Sequence, residues 1–114
     1  EMVKIIVCAV RKPGLSHAEF DHHWRTQHAA VIKSVPEFTR HVRRYVQCHV
    51  AASDTPFLAA GPYDGVAELW FDDQAAMQAA FTEPRYLEVI RADEVKFVDM
   101  ERTVSLVTEE LEVI

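Results

Sequence analysis

The sequence predicts an α+β fold with the element order β-α-β-β-α-β, the ferredoxin-like arrangement of a four-stranded antiparallel sheet with helices on one face. Two observations predict it: β-branched apolar runs alternate with two stretches of helical spacing, and turn residues separate most of these segments. A third is size, since 114 residues of which 49% are hydrophobic suffice for one core. We therefore expect a single domain over residues 1–114.

The first two elements are a buried strand and a helix with a capping box. Residues 2–10 (MVKIIVCAV) are rich in β-branched side chains and end before the turn at Pro13-Gly14. Ser16 and Glu19 form an S-x-x-E pattern, in which the serine caps the first helical turn and the glutamate reaches back to the cap. A helix is therefore predicted to begin at His17 and to end before Pro36.

Two further strands follow, separated by a long segment without a clear period. In residues 39–50 apolar and polar side chains alternate, which is typical of a strand with one apolar face and one polar or aromatic face. Residues 66–71 (VAELWF) predict the third strand. The segment between them, residues 51–64, includes Phe57 and Leu58, so we expect it to act as a lid or a subunit contact.

The last part of the chain predicts a second helical layer and the final strands. An N-capping aspartate precedes a short helix over residues 74–81, and a further helical piece begins at Pro84 and runs to about Ile90. Apolar residues around Phe97-Val98 and in residues 103–107 then predict one or two last strands.

Composition and charge exclude several classes of protein. Twelve Lys and Arg residues against eighteen Asp and Glu residues give a formal net charge of -6, whereas nucleic acids and anionic membranes attract positive charge. No apolar run approaches the roughly 20 residues that cross a bilayer, and no signal-peptide pattern precedes the first strand. We therefore expect a cytoplasmic protein without a nucleic-acid or membrane partner.

Motifs for cofactors and metals are missing from the sequence. It has no G-x-G-x-x-G or G-x-S-x-G motif and only three glycines, so phosphate-binding loops have no support. No two histidines of the first helix have the i,i+3 or i,i+4 spacing of a helical metal site. Cys8 and Cys48 lie far apart in apolar runs, and we interpret both as small buried side chains. The sequence thus predicts neither a metal nor a cofactor.

His28 is the first candidate for chemistry, because it continues a stripe of Phe20 and Trp24 that should face the sheet. Burial there favours a neutral imidazole, which is a usable general base near neutral pH. From spacing alone, a buried histidine that only bonds a backbone carbonyl is an equally good interpretation. His23 borders the same stripe, whereas His22 is expected to be a surface residue.

A second group of candidates lies on the predicted second and third strands. Tyr45 and His49 share one face of the second strand, and Glu68 and Trp70 share a face of the third. A phenol, an imidazole and a carboxylate on adjacent strands could line one pocket. Tyr45 could equally be a core residue, and His49 a surface residue at the end of its strand.

One face of the predicted sheet has no cover. Both helices lie on the other face, and the second and third strands leave side chains exposed in a monomer, several of them aromatic. A second copy stacked sheet to sheet would bury them, so we predict a homodimer of the α+β barrel type.

Motifs along nearly the whole chain resemble those of the EthD-domain family. Each motif is short, but their order and spacing together are fairly specific. They are Arg11-Lys12-Pro13-Gly14-Leu15-Ser16, Phe20, Trp24, His28-Ala29, Arg44-Tyr45-Val46, Tyr63-Asp64-Gly65-Val66-Ala67-Glu68-Leu69-Trp70-Phe71, Phe81, Pro84, Asp93-Glu94 and Phe97-Val98-Asp99. The resemblance implies a ferredoxin-like subunit that dimerises into an α+β barrel.

The resemblance also implies a kind of chemistry. The family includes members linked to ether degradation, fungal polyketide decarboxylases and a methylmuconolactone methylisomerase, which share cofactor-free chemistry on small carbonyl-bearing rings. The family's helix histidine corresponds to His28 and its second-strand tyrosine to Tyr45. His23, His41 and His49 have no counterpart in the family's pattern.

These observations favour a cofactor-free acid-base enzyme of lyase, isomerase or cyclase type, acting on a small aromatic, lactone or polyketide-like carbonyl compound. His28 would serve as the base or acid, and Tyr45 would donate a hydrogen bond to a carbonyl or enolate oxygen. The candidate substrate-binding residues are Phe20, His23, Trp24, His49, Glu68, Trp70 and Phe81.

Two other functions fit the same residues. Related dimeric barrels bind or degrade haem through one axial histidine, and His28 or His49 could serve in that role. Alternatively, the protein could be a non-catalytic module that binds a small hydrophobic ligand.

Overall fold

The four strands found in the described residues form a single sheet. The computed structural model describes residues 2–55 and 61–114, so Phe57 and Leu58 of the expected lid or subunit contact lie outside the described residues. The strands pair antiparallel in the order β2-β3-β1-β4, which confirms the predicted ferredoxin-like sheet. They are β1 (Val3–Ala9), β2 (Arg44–His49), β3 (Gly65–Phe71) and β4 (Val104–Thr108).

Two long helices pack on one face of the sheet, and each contains a π-helical turn. The first long helix comprises α1 (His17–His23), the first π turn (Trp24–His28) and α2 (Ala29–Lys33). The second long helix comprises the second π turn (Tyr86–Arg91) and α5 (Ala92–Phe97). Between them along the chain come the shorter α3 (Pro36–Thr39) and α4 (Gln74–Thr82). No helix of the described ranges is both long and apolar enough to span a membrane.

The predicted helix starts are confirmed by their caps. The Ser16 hydroxyl accepts from the Glu19 N–H at 3.1 Å, and the Glu19 carboxylate accepts from the Ser16 N–H at 2.8 Å. This reciprocal pair satisfies two backbone donors that the first turn leaves free. At the start of α4, Asp73 accepts from the Ala76 N–H at 2.8 Å.

Two predicted strand segments are wrong. The second strand begins several residues later than expected, at Arg44, because Pro36 starts α3, and a proline in the first helical turn sacrifices no hydrogen bond. Phe97 belongs to α5 rather than to a strand, since it continues the buried face of that helix. Val98 forms only an isolated bridge with Arg11.

The sheet has a helix side, which faces the two long helices, and an open side. Paired residues of neighbouring strands point the same way, so Tyr45, Leu69 and Ile5 form one row on the helix side, where they pack on the core. Cys8 and Cys48 belong to a row on the open side, where Cys8 is half-buried and Cys48 is exposed. The interpretation of both cysteines as buried is therefore wrong.

The hydrophobic core lies between the helix side of the sheet and the helices. Its largest fully buried side chains are Phe20, Phe38, Phe71, Phe97, Ile90 and Val35. On the open side of β4, by contrast, Val104 and Leu106 remain 42% and 49% exposed. Most apolar side chains are therefore buried on the helix side, and some remain exposed on the open side.

Candidate active site

A cavity of about 310 Å³ lies between the helix side of the sheet and the long helices. Five of the predicted site residues line it: Phe20, Trp24, His28, Tyr45 and Phe81. The stripe on the first long helix supplies Phe20, Trp24 and His28, and Tyr45 reaches the cavity from β2. The structure therefore brings the two candidate catalytic residues to the same apolar space.

Glu68 and Trp70 lie on the open side of the sheet, away from this cavity. Opposite them on β2 stand Val46 and Arg44, the neighbours of Tyr45 that point to the other side. The expectation that Glu68 and Trp70 line a pocket with Tyr45 is wrong, because a strand turns successive side chains to opposite faces.

His49 lies behind the cavity wall rather than in it. Its ring packs against Trp24 with the ring centres 4.6 Å apart, and its Nδ1 makes a short contact with the Asp21 carboxylate. Its Nε2 lies 2.9 Å from the Gln47 side-chain oxygen. The Gln47 amide in turn donates to the Trp24 carbonyl at 3.0 Å, so this group holds the first π turn against β2.

Asp93, on α5, contacts His28 and was not among the candidate site residues, although it belongs to a motif that resembles the family's. Its carboxylate lies 2.7 Å from His28 Nδ1, and both side chains are almost fully buried, with 5% and 4% of their surfaces exposed. His23 Nε2 lies 3.0 and 3.1 Å from the two carboxylate oxygens. His23 therefore contributes to the site from outside the cavity, by holding Asp93.

The partners of Asp93 keep it ionised. Burial acts to raise the pKa of Asp93, but the hydrogen bonds from His28 and His23 outweigh burial and lower that pKa below its ordinary value of 3.8. A buried carboxylate of this kind needs such donors, because an unpaired charge is costly away from water.

A sequence signal for Asp93 exists. Tyr86, Ile90, Asp93 and Phe97 recur at four-, three- and four-residue intervals, which is the spacing of a buried helical face. A carboxylate on such a face calls for a buried partner. The expected end of the helix at about Ile90 concealed this pattern.

The hydrogen bond to Asp93 determines which nitrogen of His28 is available. An ionised carboxylate only accepts, so the Nδ1 of His28 carries the proton and the Nε2 of the neutral ring is an acceptor. Within residues 2–55 and 61–114, Nε2 of His28 has no hydrogen-bond partner. Every fully buried side-chain nitrogen or oxygen in these residues has one, so Nε2 is not fully buried. Nε2 is therefore open to the cavity that His28 lines.

Tyr45 also lines the cavity, and its hydroxyl stays neutral. Burial raises the pKa of Tyr45, and the opposing effect of the Trp24 and Gln47 side chains does not cancel it. A neutral phenol donates a hydrogen bond as well as accepting one. The site thus combines an imidazole acceptor with a hydroxyl donor.

The ring of Trp24 is held against the backbone of β3 at Gly65. A Cβ atom at that position would lie 2.3 Å from Trp24 Cζ3, so any other residue would displace the ring. Gly65 therefore helps to set the shape of the cavity wall.

A second polar cluster, consisting of Tyr86, Arg91 and Glu94, also lines the cavity. The Tyr86 hydroxyl donates to the two Glu94 oxygens at 3.0 and 3.1 Å and accepts from Arg91 Nη2 at 3.3 Å. Arg91 Nε also donates to Glu94 at 2.9 Å. Burial and the charge of Glu94 raise the pKa of Tyr86, so its hydroxyl stays protonated.

The polar residues of the two clusters do not form a metal centre. Among the residues that the structure describes, no group of three or more His, Cys, Asp or Glu side chains is placed to hold a metal ion.

The fold and the site define a small ferredoxin-like protein with a buried histidine–aspartate pair beside an apolar cavity. The family model described as "EthD domain" matches residues 12–101. The chain therefore belongs to the EthD-domain family, which confirms the resemblance noted in its motifs.

Individual relatives extend this comparison. Dehydratase aurZ of Gibberella zeae is 27% identical over 111 residues, which cover 90% of this chain and 72% of that protein. An EthD family protein from Bacillus halodurans has a similar structure, with a TM-score of 0.70, 22% identity and coverage of 97% of this chain and 100% of the other.

Two further solved structures share the fold. The hydroxynitrile lyase from Passiflora edulis has a TM-score of 0.71 and 18% identity, covering all of this chain and 97% of the other. A ferredoxin-like protein from Thermobifida fusca, described as dimeric, has a TM-score of 0.64 and 16% identity, covering 96% of this chain and 91% of the other. At these identities the structures establish the fold alone.

Proposed function

We propose that this protein is a lyase of dehydratase type, which removes water from a small and largely apolar carbonyl compound by acid-base chemistry of its own side chains. The observation that carries the proposal is the buried His28–Asp93 pair, whose free imidazole nitrogen opens into the cavity. The 27% identity to a dehydratase over 90% of this chain supports the reaction class.

The proposed reaction begins at the carbon next to the substrate carbonyl. His28 Nε2 removes a proton from that carbon, and the electron pair forms an enolate whose oxygen accepts a hydrogen bond from Tyr45. The enolate then re-forms the carbonyl group. A double bond forms between the α and β carbons as the bond from the β carbon to its hydroxyl breaks. That hydroxyl leaves as water with the proton from His28, which returns the imidazole to its neutral form.

Asp93 and the apolar wall both lower the barrier of the first step. Asp93 stabilises the imidazolium that forms when His28 accepts the proton, and it holds Nε2 toward the cavity. Phe20, Trp24 and Phe81 keep the surroundings apolar, so that a single hydroxyl donor stabilises the enolate more than it would in water.

The proposal is tested with a panel of aromatic β-hydroxy ketones, whose dehydration produces a conjugated enone that absorbs in the near ultraviolet. We expect His28→Ala to lower kcat by about a hundredfold or more, because it removes the base. Tyr45→Phe should lower kcat by about a hundredfold, since it removes one donor to the enolate. The matched control is His22→Ala, an exposed histidine of the same helix, which should leave kcat unchanged.

Full turnover by a folded His28→Ala variant would refute the proposed mechanism. If the wild type binds these ketones without converting any of them, a non-catalytic binding module becomes the better interpretation. A Soret shift on titration with haemin that disappears in His28→Ala would instead favour a haem-binding barrel.

We also propose that the open side of the sheet is the contact between two copies of the chain. Val46, Glu68, Ile6 and Leu106 form one row there, in which three of the four side chains are apolar, and Leu106 is 49% exposed. The protein of similar fold from Thermobifida fusca is described as dimeric, which supports a dimer of this chain.

Analytical ultracentrifugation tests the dimer. The wild type should sediment at about twice the 13.0 kDa of one chain, and Leu106→Glu should shift it toward the monomer by placing a charge in the contact. Leu87→Glu is the matched control, because Leu87 is equally exposed but lies on the second π turn. A monomeric wild type would refute the proposal.

A further inference from the structure

We propose that Arg91, where it lines the cavity, binds a carboxylate group of the ligand, so that the natural ligand carries an acid group and is not a neutral ketone. This inference rests on the proposed function for the ligand's orientation, since the carbonyl end would lie at His28 and the acid end at Arg91. The binding of the acid group can be measured without any reaction.

The hydrogen bonds of Arg91 leave one edge of its guanidinium available. A guanidinium has five N–H donors in a plane. Nε donates to Glu94 at 2.9 Å and Nη2 to the Tyr86 hydroxyl at 3.3 Å, so the edge formed by these two nitrogens is in use. Among residues 2–55 and 61–114, Nη1 has no acceptor. The outer edge, formed by Nη1 and the second N–H of Nη2, matches the two oxygens of a carboxylate.

Tyr86 and Glu94 hold this outer edge in a defined orientation. Tyr86 is 3% exposed, and its ring centre lies 5.6 Å from the Arg91 guanidinium carbon. Because the Tyr86 hydroxyl also donates to both Glu94 oxygens, the three side chains form a closed network. An orientation fixed in this way reduces the entropy that the arginine loses when it binds a ligand.

Arg91 supplies a cationic group to the lining of the cavity. Of the described residues that line the cavity, Arg91 is the one lysine or arginine, and Glu94 is the one carboxylate. Glu94 accepts from Arg91 and Tyr86, so the ion pair is close to neutral overall, and the free outer edge of the guanidinium is what a carboxylate would bind. The side chain of Arg91 is 45% exposed, so a ligand in solvent can reach its charge.

The test is isothermal titration calorimetry with two probes, cinnamate and its uncharged methyl ester, at low salt. Arg91→Met should weaken cinnamate binding by about tenfold or more, because a charge-assisted bidentate pair is lost, and it should change ester binding little. Arg91→Lys should weaken cinnamate binding to an intermediate degree, since it keeps the charge without the planar fork.

Arg85→Met is the matched control. Arg85 pairs with Glu88 three residues later, as Arg91 does with Glu94. The Arg85→Met substitution therefore removes the same charge from the same helical region. This variant should bind cinnamate as the wild type does. Circular dichroism checks that each variant is folded, and Arg91→Lys carries the test if Arg91→Met does not fold.

Two results would overturn the inference. One is equal binding of acid and ester by the wild type, and the other is an equal effect of Arg91→Met and Arg85→Met on cinnamate. Cinnamate selectivity in a protein that dehydrates neither neutral nor acid-bearing β-hydroxy ketones would refute the proposed function alone. Dehydration of neutral ketones without any preference for acids would refute this inference alone.

Discussion

Replacement of Asp93 by asparagine tests whether an ionised carboxylate holds the two histidines. The carboxylate accepts from His28 at 2.7 Å and from His23 at 3.0 Å, and each bond to a charged group contributes about 1.5–3 kcal/mol. Both of these bonds go to Oδ2, and His23 also lies 3.1 Å from Oδ1. Asparagine presents an N–H donor in place of one oxygen, so the bond at that oxygen is lost, and its neutral oxygen accepts more weakly than a carboxylate does. We expect the free energy of unfolding to fall by about 2–3 kcal/mol.

The same variant should affect catalysis more than stability. Without the carboxylate, the neutral ring of His28 can place its proton on Nε2, which then cannot accept one from the substrate. We expect kcat in the ketone assay to fall by about a hundredfold to ten-thousandfold. The free energy of unfolding is measured by urea denaturation followed by circular dichroism, on the same samples.

The dependence on pH gives a second measure of the same carboxylate. Because the pKa of Asp93 is lowered on folding, its contribution to stability is present above the ordinary value of 3.8. The contribution is lost as the pH falls below that value and through the lowered pKa of the folded state. The difference in the free energy of unfolding between wild type and Asp93→Asn should therefore be largest near pH 7 and should shrink in strong acid.

Glu83→Gln is the control for this experiment. Glu83 is a carboxylate that also pairs with a histidine and an arginine, His41 and Arg40, but nearer to the surface. Its replacement should change the free energy of unfolding far less, because solvent screens such pairs. The role of Asp93 in holding the two histidines would be refuted if Asp93→Asn lowered the free energy of unfolding no more than the control does. It would also be refuted if the variant kept the kcat of the wild type.

Two further changes test the packing around the site. Gly65→Ala should lower the free energy of unfolding by about 1–3 kcal/mol, because its Cβ would lie 2.3 Å from the buried ring of Trp24. In thermal denaturation it should melt well below Gly61→Ala, where the nearest atom is 3.9 Å away, and equal melting would contradict this packing. Asp64→Asn should cost about 1.5–3 kcal/mol in urea denaturation, because the buried carboxylate accepts from the Arg11 N–H at 2.8 Å and from the Arg11 guanidinium at 2.9 Å. Unchanged stability would show that these bonds contribute nothing.

The parts of the fold that could be predicted are those that depend on local pattern. Ser16 and Glu19 begin a helix through bonds within four residues, and the spacing of Phe20, Trp24 and His28 indicates which helical face is buried. These signals need no knowledge of the rest of the chain.

The errors arose where the answer depends on distant partners. β3 carries apolar side chains on both faces, such as Leu69 on one and Trp70 on the other, so its period could not indicate which face meets the helices. The pairing of Asp93 with His28 joins residues 65 positions apart and depends on how the two long helices pack. Sequence spacing contains no direct record of such contacts.

The two π turns have a consequence for how this site changes between relatives. On a regular α-helix a four-residue step passes a full turn by about 40°, so three steps from Phe20 to Ile32 would drift by about 120°. The wider π turn between them offsets part of this drift, and both residues are buried. The second π turn likewise carries Tyr86 and Arg91. The direction in which the free nitrogen of His28 points therefore depends on the extra residue of the π turn as well as on residue identity. A relative that lacks one residue within either turn would present a different set of side chains to the same cavity, even if every named residue were retained.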